Sequence, residues 1–495
     1  MEAERPELVE QILDLDLRVG RPADWRVPVA AAAAAAWTDL ALRAGVAGVA
    51  GTLLVAVVSA GMLLSGRITN PQARALVAAA PLFGVWLTLR QSVWLLPLDL
   101  LAVAGLLALG ASLARGGSVF DLSLPRLLSR AVAGAAHGLA GPDFAIRPVG
   151  RVLSERAGSG RVVARGALLA VPLVLVLGAL LASSDAVFAG FFRLHVNGAD
   201  LVLHAIALGF GAWAVSGLLR LASADRPEAL RPVAVRVSAS EAIVVLAGMG
   251  ALFAGFSVAQ IVALSGAGHR IIRTAGLTYA EYARSGFFQL LAVAAITLGV
   301  LLALRATVML ETARARRWFL GLAGAAVALT LVILVVSLRR LAMYERVFGL
   351  TMLRLYAGVF AILLGVVFLL LALRISGVGA RRHWFLPAAL GAALATLLTL
   401  NSINPEAFVV SRNAANAERT GRFDAGYLSQ LSDDAVPTAV RLLPRLTPGQ
   451  RAHALAVLCA RPSWPFTGWA AYNMSQEAAQ AALVRACPAR FGASG

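Results

Sequence analysis

Residues 317–338 read RWFLGLAGAAVALTLVILVVSL, with Arg314 and Arg316 before them and Arg339 and Arg340 after. From Trp318 to Leu338 the stretch carries no charge. The hydrocarbon core of a bilayer takes about 20 apolar residues of helix to cross, and a helix satisfies its own backbone N–H and C=O groups in lipid. The stretch therefore predicts a membrane-crossing helix. Ten others read the same way: 27–42, 44–64, 73–89, 92–114, 165–184, 199–222, 239–264, 287–304, 352–373 and 384–401. The fold class is all-α, a polytopic transmembrane bundle of about eleven spans with a small C-terminal helical extramembrane domain.

The first span is the weakest. It is Ala-rich from Val27 to Ala36 and ends in Trp37, Asp39 and Arg43, so lying along the interface is an open alternative to crossing. Gly45, Gly48 and Gly51 open the second span. Small residues let membrane helices approach closely, and a tight hairpin of the two is expected.

The chain is 59% hydrophobic and 14% charged, against about a quarter charged in soluble domains. That deficit fits a chain whose solvent is mostly lipid. The net charge of +18 comes from arginine alone. Charge of this sign can serve nucleic acid. Here the arginines sit in short loops between apolar runs, which fits topology control and contact with the head groups of anionic membrane lipids. No nucleic-acid partner is expected. Glu2 and Glu4, with no apolar run around them, argue against a cleavable signal peptide.

Arginine placement sets an orientation. With an N-tail, 1–26, in the cytoplasm and eleven crossings of the domain 27–401, seventeen loop arginines lie inside and nine outside. The bias has the sign of the positive-inside rule. Seven of the seventeen belong to the loop 115–164. There Leu122, Leu124, Leu127, Leu128 and Val132 alternate with Arg126 and Arg130, which predicts an interfacial helix with its basic residues on the polar face. A solvated linker is the alternative.

Eleven crossings put the tail 402–495 outside, where disulfides persist. It holds the chain's two cysteines, Cys459 and Cys487. A bridge between them would stabilise the tail by roughly 3–4 kcal/mol; two buried free thiols are the other reading. The tail reads as short amphipathic helices. Thr447-Pro448-Gly449-Gln450 is a capping box with Pro at the first helical position. Ser432 opens an earlier helix, and Asn473 caps a last one that runs to Cys487. The result is either an interaction module or a cap packed on the membrane domain.

Ionisable residues inside spans are costly and are default site candidates. They are few: Asp99 and His204, with Gln260 and Gln289 adding uncharged polarity. In the expected orientation all four fall in the outer half of the bilayer. The outer loop 265–286 lies above them, with Tyr279, Glu281, Tyr282 and Arg284. Glu281 and Arg284 share a helical face, as do Tyr279 and Tyr282. An outward-facing polar pocket under a short lid is one reading; interhelical hydrogen bonds below an interfacial anchor helix is the blander one. No His-Glu-x-x-His, Cys-x-x-Cys, Gly-x-Ser-x-Gly or phosphate loop occurs. The chain is expected not to be an enzyme and to carry no metal or cofactor. Gly209, Gly211 and Gly217, with Gly248, Gly250 and Gly255, are expected to serve helix packing.

Several stretches carry a family resemblance: 183–188; Leu277-Thr278-Tyr279-Ala280-Glu281-Tyr282-Ala283-Arg284 with Gly286-Phe287-Phe288; Phe348-Gly349-Leu350-Thr351 with Arg354; Asn404-Pro405-Glu406-Ala407 with Asn413; and Tyr427-Leu428 with Leu431, Ser432 and Asp434 to Pro437. Over about 183–475 the chain resembles the bacterial polytopic membrane proteins carrying domain of unknown function 4173, related to the 4153 group. Phe348 departs mildly, standing where that family more often has Tyr. The resemblance implies a bacterial inner-membrane protein and lends no catalytic residue. Two functions compete: an envelope scaffold or sensor accessory meeting an envelope protein through 402–495, and a transporter or lipid-handling protein using the outward polar site.

Overall fold

The computed structural model describes residues 18–156, 170, 173–174, 176–178, 181, 198–225, 236–264, 286–378, 383–462 and 468–488. The chain is all-α. Among the described residues the strands are β1 (Val237–Ser238) and β2 (Val308–Met309), a two-residue parallel pair. Eight helices are long and apolar enough to cross a membrane. Of the other expected spans, 27–42 and 44–64 appear as helices that are less apolar or shorter, and 165–184 lies almost wholly outside the described residues.

The chain divides into two compact units. The first holds Met1–Val119, Ser123–Pro232 and Ser463–Ala478. Its helices are α1 (Arg26–Ala44), α2 (Val49–Leu64), α3 (Pro71–Gly84), α4 (Trp86–Leu89), α5 (Leu95–Ser112), α6 (Leu124–Leu139), α7 (Gly141–Arg156) and α8 (Gly198–Leu221). Helix α1 packs on α2 and on α8, burying Val27, Ala31, Ala34, Ala35 and Ala41, so the alanine run is an internal face of the bundle.

Small residues permit that packing. A Cβ on Gly211 would fall 2.4 Å from Thr38 Oγ1 and 2.9 Å from the Ala34 carbonyl, and one on Gly217 would fall 2.7 Å from Gly138 Cα. At Gly209, Gly248, Gly250 and Gly255 an added Cβ meets no described atom within 4 Å, so the described residues show no close helix packing there.

The segment 468–473 docks on the α1–α4 end of this unit. Trp469 sets its ring edge-on to Trp37 at 6.2 Å, Val49 N–H donates to Tyr472 O, and Asn473 Nδ2 donates to Leu87 O and Arg90 O.

Helix α6 departs from expectation at Arg130, while Arg126 stays exposed as expected. Its buried residues are Ser129, Arg130, Ala133 and His137, while Leu124, Leu128 and Leu139 are exposed. Arg130 does not face water: it donates to Ser112 O at 2.6 Å. The bundle offers Arg130 a carbonyl acceptor, and lipid can take the exposed leucines as an interfacial helix requires.

The second unit holds Phe120–Leu122, Val233–Pro462 and Ala479–Gly495. Its helices are α9 (Ala239–Leu264), α10 (Phe287–Thr307), α11 (Ala313–Phe348), α12 (Met352–Ile375), α13 (Phe385–Ile403), α14 (Pro405–Thr420), α15 (Val436–Leu442) and α16 (Pro448–Cys459), with α17 (Met474–Ala486) entering it from Ala479. One apolar cluster joins α9–α12 through Leu246, Phe287, Phe319, Val327 and Phe368. A second builds the tail around Val409, Val410, Leu428, Leu431, Val436, Leu458 and Leu483, and takes in Leu350 and Met352. Thr312 and Thr351 cap α11 and α12. The capping box at Thr447 and Gln450, the cap at Asn473 and a turn closed by Ser432 form as expected. Cys459 and Cys487 are joined in a disulfide.

Helix α11 is 36 residues long, about 54 Å at 1.5 Å per residue. The hydrocarbon core is only about 30 Å thick, so α11 runs on past it.

Candidate functional site

The turn between α11 and α12 brings residues of three resemblance-bearing stretches together: Gly349 to Thr351 with Arg354, Asn413, and Tyr427. Helix α11 stops at Gly349, whose φ of +76° lies in the region glycine favours. A Cβ there would come within 3.0 Å of Asn413 Oδ1. Asn413, on α14, uses both ends of its amide: Oδ1 accepts from Leu350 N–H at 2.7 Å and Nδ2 donates to Leu350 O at 2.8 Å. Met352 N–H donates to the Tyr427 hydroxyl at 2.8 Å. Arg354 donates to Gly349 O and lies 4.3 Å over the Tyr344 ring. Burial raises the Tyr427 phenol above its ordinary pKa, opposed by the Met352 N–H, so at neutral pH it stays an uncharged acceptor.

Helix α14 is tied in from its other end. Asn404 caps it by accepting from Ala407 N–H and donates to Asp434 O. Buried Glu406 accepts from both Ser432 N–H and Ser432 Oγ–H. Arg461 donates to Leu428 O, Leu431 O and Asp433 Oδ1. Nearly every one of these contacts meets a backbone group of a turn. Their chemistry is positioning, through charge-assisted and capping hydrogen bonds.

Two clefts flank Asn413. One, of about 440 Å³, is lined by Glu345, Arg346, Arg412, Asn416 and Arg419. The other, of about 570 Å³, is lined by Phe348, Thr351, Arg422, Phe423, Asp424 and Tyr427. Nothing in the sequence signalled either cleft, because their walls come from segments some seventy residues apart.

The residues singled out from the sequence are placed as follows. Asp99 is buried in α5, only 2% exposed. His204, on α8, finds its partner in α1: Nδ1 lies 2.6 Å from Asp39 Oδ1, and Arg43 holds the other carboxylate oxygen at 2.8 Å. Gln260 accepts from Arg340 at 3.2 Å. Gln289 is exposed. Tyr279, Glu281, Tyr282 and Arg284 lie outside the described residues.

A second polar network lies at the other end of the first unit. The Arg67 side chain is fully buried and donates to Ser223 Oγ, Arg21 O and Pro22 O, with its guanidinium 5.2 Å over the Phe144 ring. Arg220 donates to His137 Nδ1 at 2.8 Å. Burial, and then the Arg220 charge, lower His137 to about 4. Among the described residues no group of three or more His, Cys, Asp or Glu side chains is arranged to hold a metal.

Fold and junction together define a polytopic α-helical membrane protein with a C-terminal module of short helices. The family model described as Domain of unknown function (DUF4153) matches residues 77–442, and the chain belongs to that family. The family shown is thus the 4153 group, to which the resemblance had pointed only as a relative of 4173. No curated protein and no solved structure matches the chain.

Proposed function

We propose that this protein is a non-enzymatic scaffold or sensor accessory of the bacterial cytoplasmic membrane, with its N-tail inside and its disulfide-closed tail outside, where that tail meets an envelope partner. A closer kinship with the 4173 proteins is part of the same reading, resting on the Tyr-Ala-Glu-Tyr segment at 279–282. One observation carries it: Asn413, Tyr427, Asn404 and Glu406 commit their polar atoms to backbone groups of the junction. Side chains used in this way mount one element rigidly on another. They support a presented surface rather than a reacting centre.

The test is photo-cross-linking in living cells from exposed tail positions such as His453 and Arg441 of the full-length chain. A recurring protein adduct is expected, and it should be lost when Asn413→Ala unseats the junction of an otherwise inserted protein. Absence of an adduct from every tail position overturns the reading.

The Asp39–His204–Arg43 cluster favours a second reading, transport of a proton or cation, since a carboxylate–imidazole pair on helices facing a bundle suits proton relay. Under it, Asp39→Asn abolishes a pH-driven flux in proteoliposomes while leaving tail cross-linking intact.

A further inference from the structure

We propose that the cleft between the end of α11 and α14 binds a phosphate-bearing anion. Three guanidinium groups, Arg346, Arg412 and Arg419, stand there against one carboxylate, Glu345. The surplus of two positive charges matches a phosphate ester better than a carboxylate. Arginine's planar fork also fits phosphate oxygens in pairs. Arg412 and Arg419 lie seven residues apart on α14, on one face of the helix, with Asn416 between them. Asn416 Oδ1 accepts from Arg419 at 2.7 Å and holds that guanidinium at the rim.

Two other arginines of this tail are matched to acids, Arg445 to Glu418 with two hydrogen bonds and Arg461 to Asp433, whereas Arg451 and Arg485 spend their donors on backbone carbonyls. Among the described residues, Arg346 and Arg412 form no ion pair. The cleft volume, about 440 Å³, falls in the range of small-ligand sites and is too small for a folded partner.

Two sources could supply the phosphate. Arg340 closes the apolar stretch of α11, and Arg346 follows six residues later, about 9 Å along the axis. That distance is comparable to the thickness of one head-group layer, so a lipid head group reaches the cleft, and so does a soluble phosphate ester.

The experiment uses the full-length protein in phosphatidylcholine nanodiscs and follows thermal unfolding together with amide exchange across 405–420. The probes are phosphatidylglycerol in the disc, and glycerol 1-phosphate or inorganic phosphate in the buffer. A bound anion raises the midpoint by mass action and slows exchange in α14.

The Arg346→Gln/Arg412→Gln double variant is expected to raise the half-saturating concentration about tenfold, the size of one lost charge-assisted contact. An equally charge-depleted control, Arg441→Gln/Arg485→Gln, keeps the response. Arg346→Gln alone, at an exposed position, gives a smaller change in the same direction and serves if the double variant unfolds. A response to phosphatidylglycerol only assigns the site to lipid; a response to the soluble esters as well assigns it to free phosphate. If the double variant and the control respond alike to all three probes, the proposal is overturned. That failure leaves tail cross-linking, and so the scaffold reading, untouched.

Discussion

The side-chain amide of Asn413 grips the peptide group of Leu350 from both sides, accepting from its N–H at 2.7 Å and donating to its C=O at 2.8 Å. Leu350 itself is buried in the tail's core. Removing the amide strands two backbone groups, each costing about 1–3 kcal/mol when left unpaired in a buried place. Asn413→Ala should therefore lower stability by roughly 2–4 kcal/mol, read as a fall in the thermal midpoint of the second unit. Asn413→Asp should be no better, because a carboxylate oxygen would then face the Leu350 carbonyl.

The disulfide offers a test of both stability and sidedness. Cys459 and Cys487 are 28 residues apart, and closing a loop of that size stabilises by roughly 3–4 kcal/mol. Cys487→Ser should lower the unfolding midpoint in non-reducing buffer by as much as a reductant lowers it for the parent. On intact cells, a membrane-impermeant maleimide should label the pair only after mild reduction. Labelling that requires broken cells would place the tail inside.

His137 predicts an acid-side loss of stability. Its folded value lies near 4, below the ordinary 6.5 of the unfolded chain. Between those values the unfolded state binds the extra proton, so stability rises with pH across the window. It should be full above about pH 6.5 and fall progressively towards pH 4, by up to about 3 kcal/mol. His137→Gln, which keeps an acceptor for Arg220, should flatten that slope in unfolding measured from pH 4 to 7.

The close approach of α8 to its neighbours should be intolerant of bulk. Gly211 faces Thr38, and Gly217 faces Gly138, at distances that leave no room for a methyl group. Gly217→Leu should cost at least 1–3 kcal/mol through overpacking, seen as poor yield of monodisperse protein. Gly209→Leu, at a position where an added Cβ meets no described atom within 4 Å, should express normally.

Asp39→Asn should weaken the contact of α1 with α8 by about 1–3 kcal/mol, since the carboxylate serves both His204 and Arg43. The comparison with Asp99→Asn is informative: a pH-dependent ligand effect that follows Asp39 rather than Asp99 would put any transport step at the α1–α8 contact.

What the sequence shows plainly is local. The capping box at Thr447 and Gln450 spans three residues, and the cap at Asn473 reaches two and three residues ahead, so both follow from spacing alone. The apolar runs give their helices for the same reason. The polar pairs that matter most are distant: Leu350 and Asn413 are 63 residues apart, His137 and Arg220 83, and Asp39 and His204 165. Each of these residues was visible, and Asn413 even stood among the stretches that mark the family, yet spacing cannot say which far segment it meets. The burial of Arg130 on α6 has another cause. A helical stripe of leucine opposite arginine looks the same whichever side turns inward; the neighbours decide, and they were out of view.

Helix α6 displays leucine and conceals Arg130 and His137. A segment built that way cannot be peeled into the aqueous phase: detachment would break the Arg130–Ser112 O and Arg220–His137 hydrogen bonds and wet a row of aliphatic side chains at once. The region that reads as an interfacial helix or a solvated linker thus behaves as fixed masonry of the bundle, and a reporter or epitope spliced between Leu124 and Leu139 would break the wall rather than decorate it.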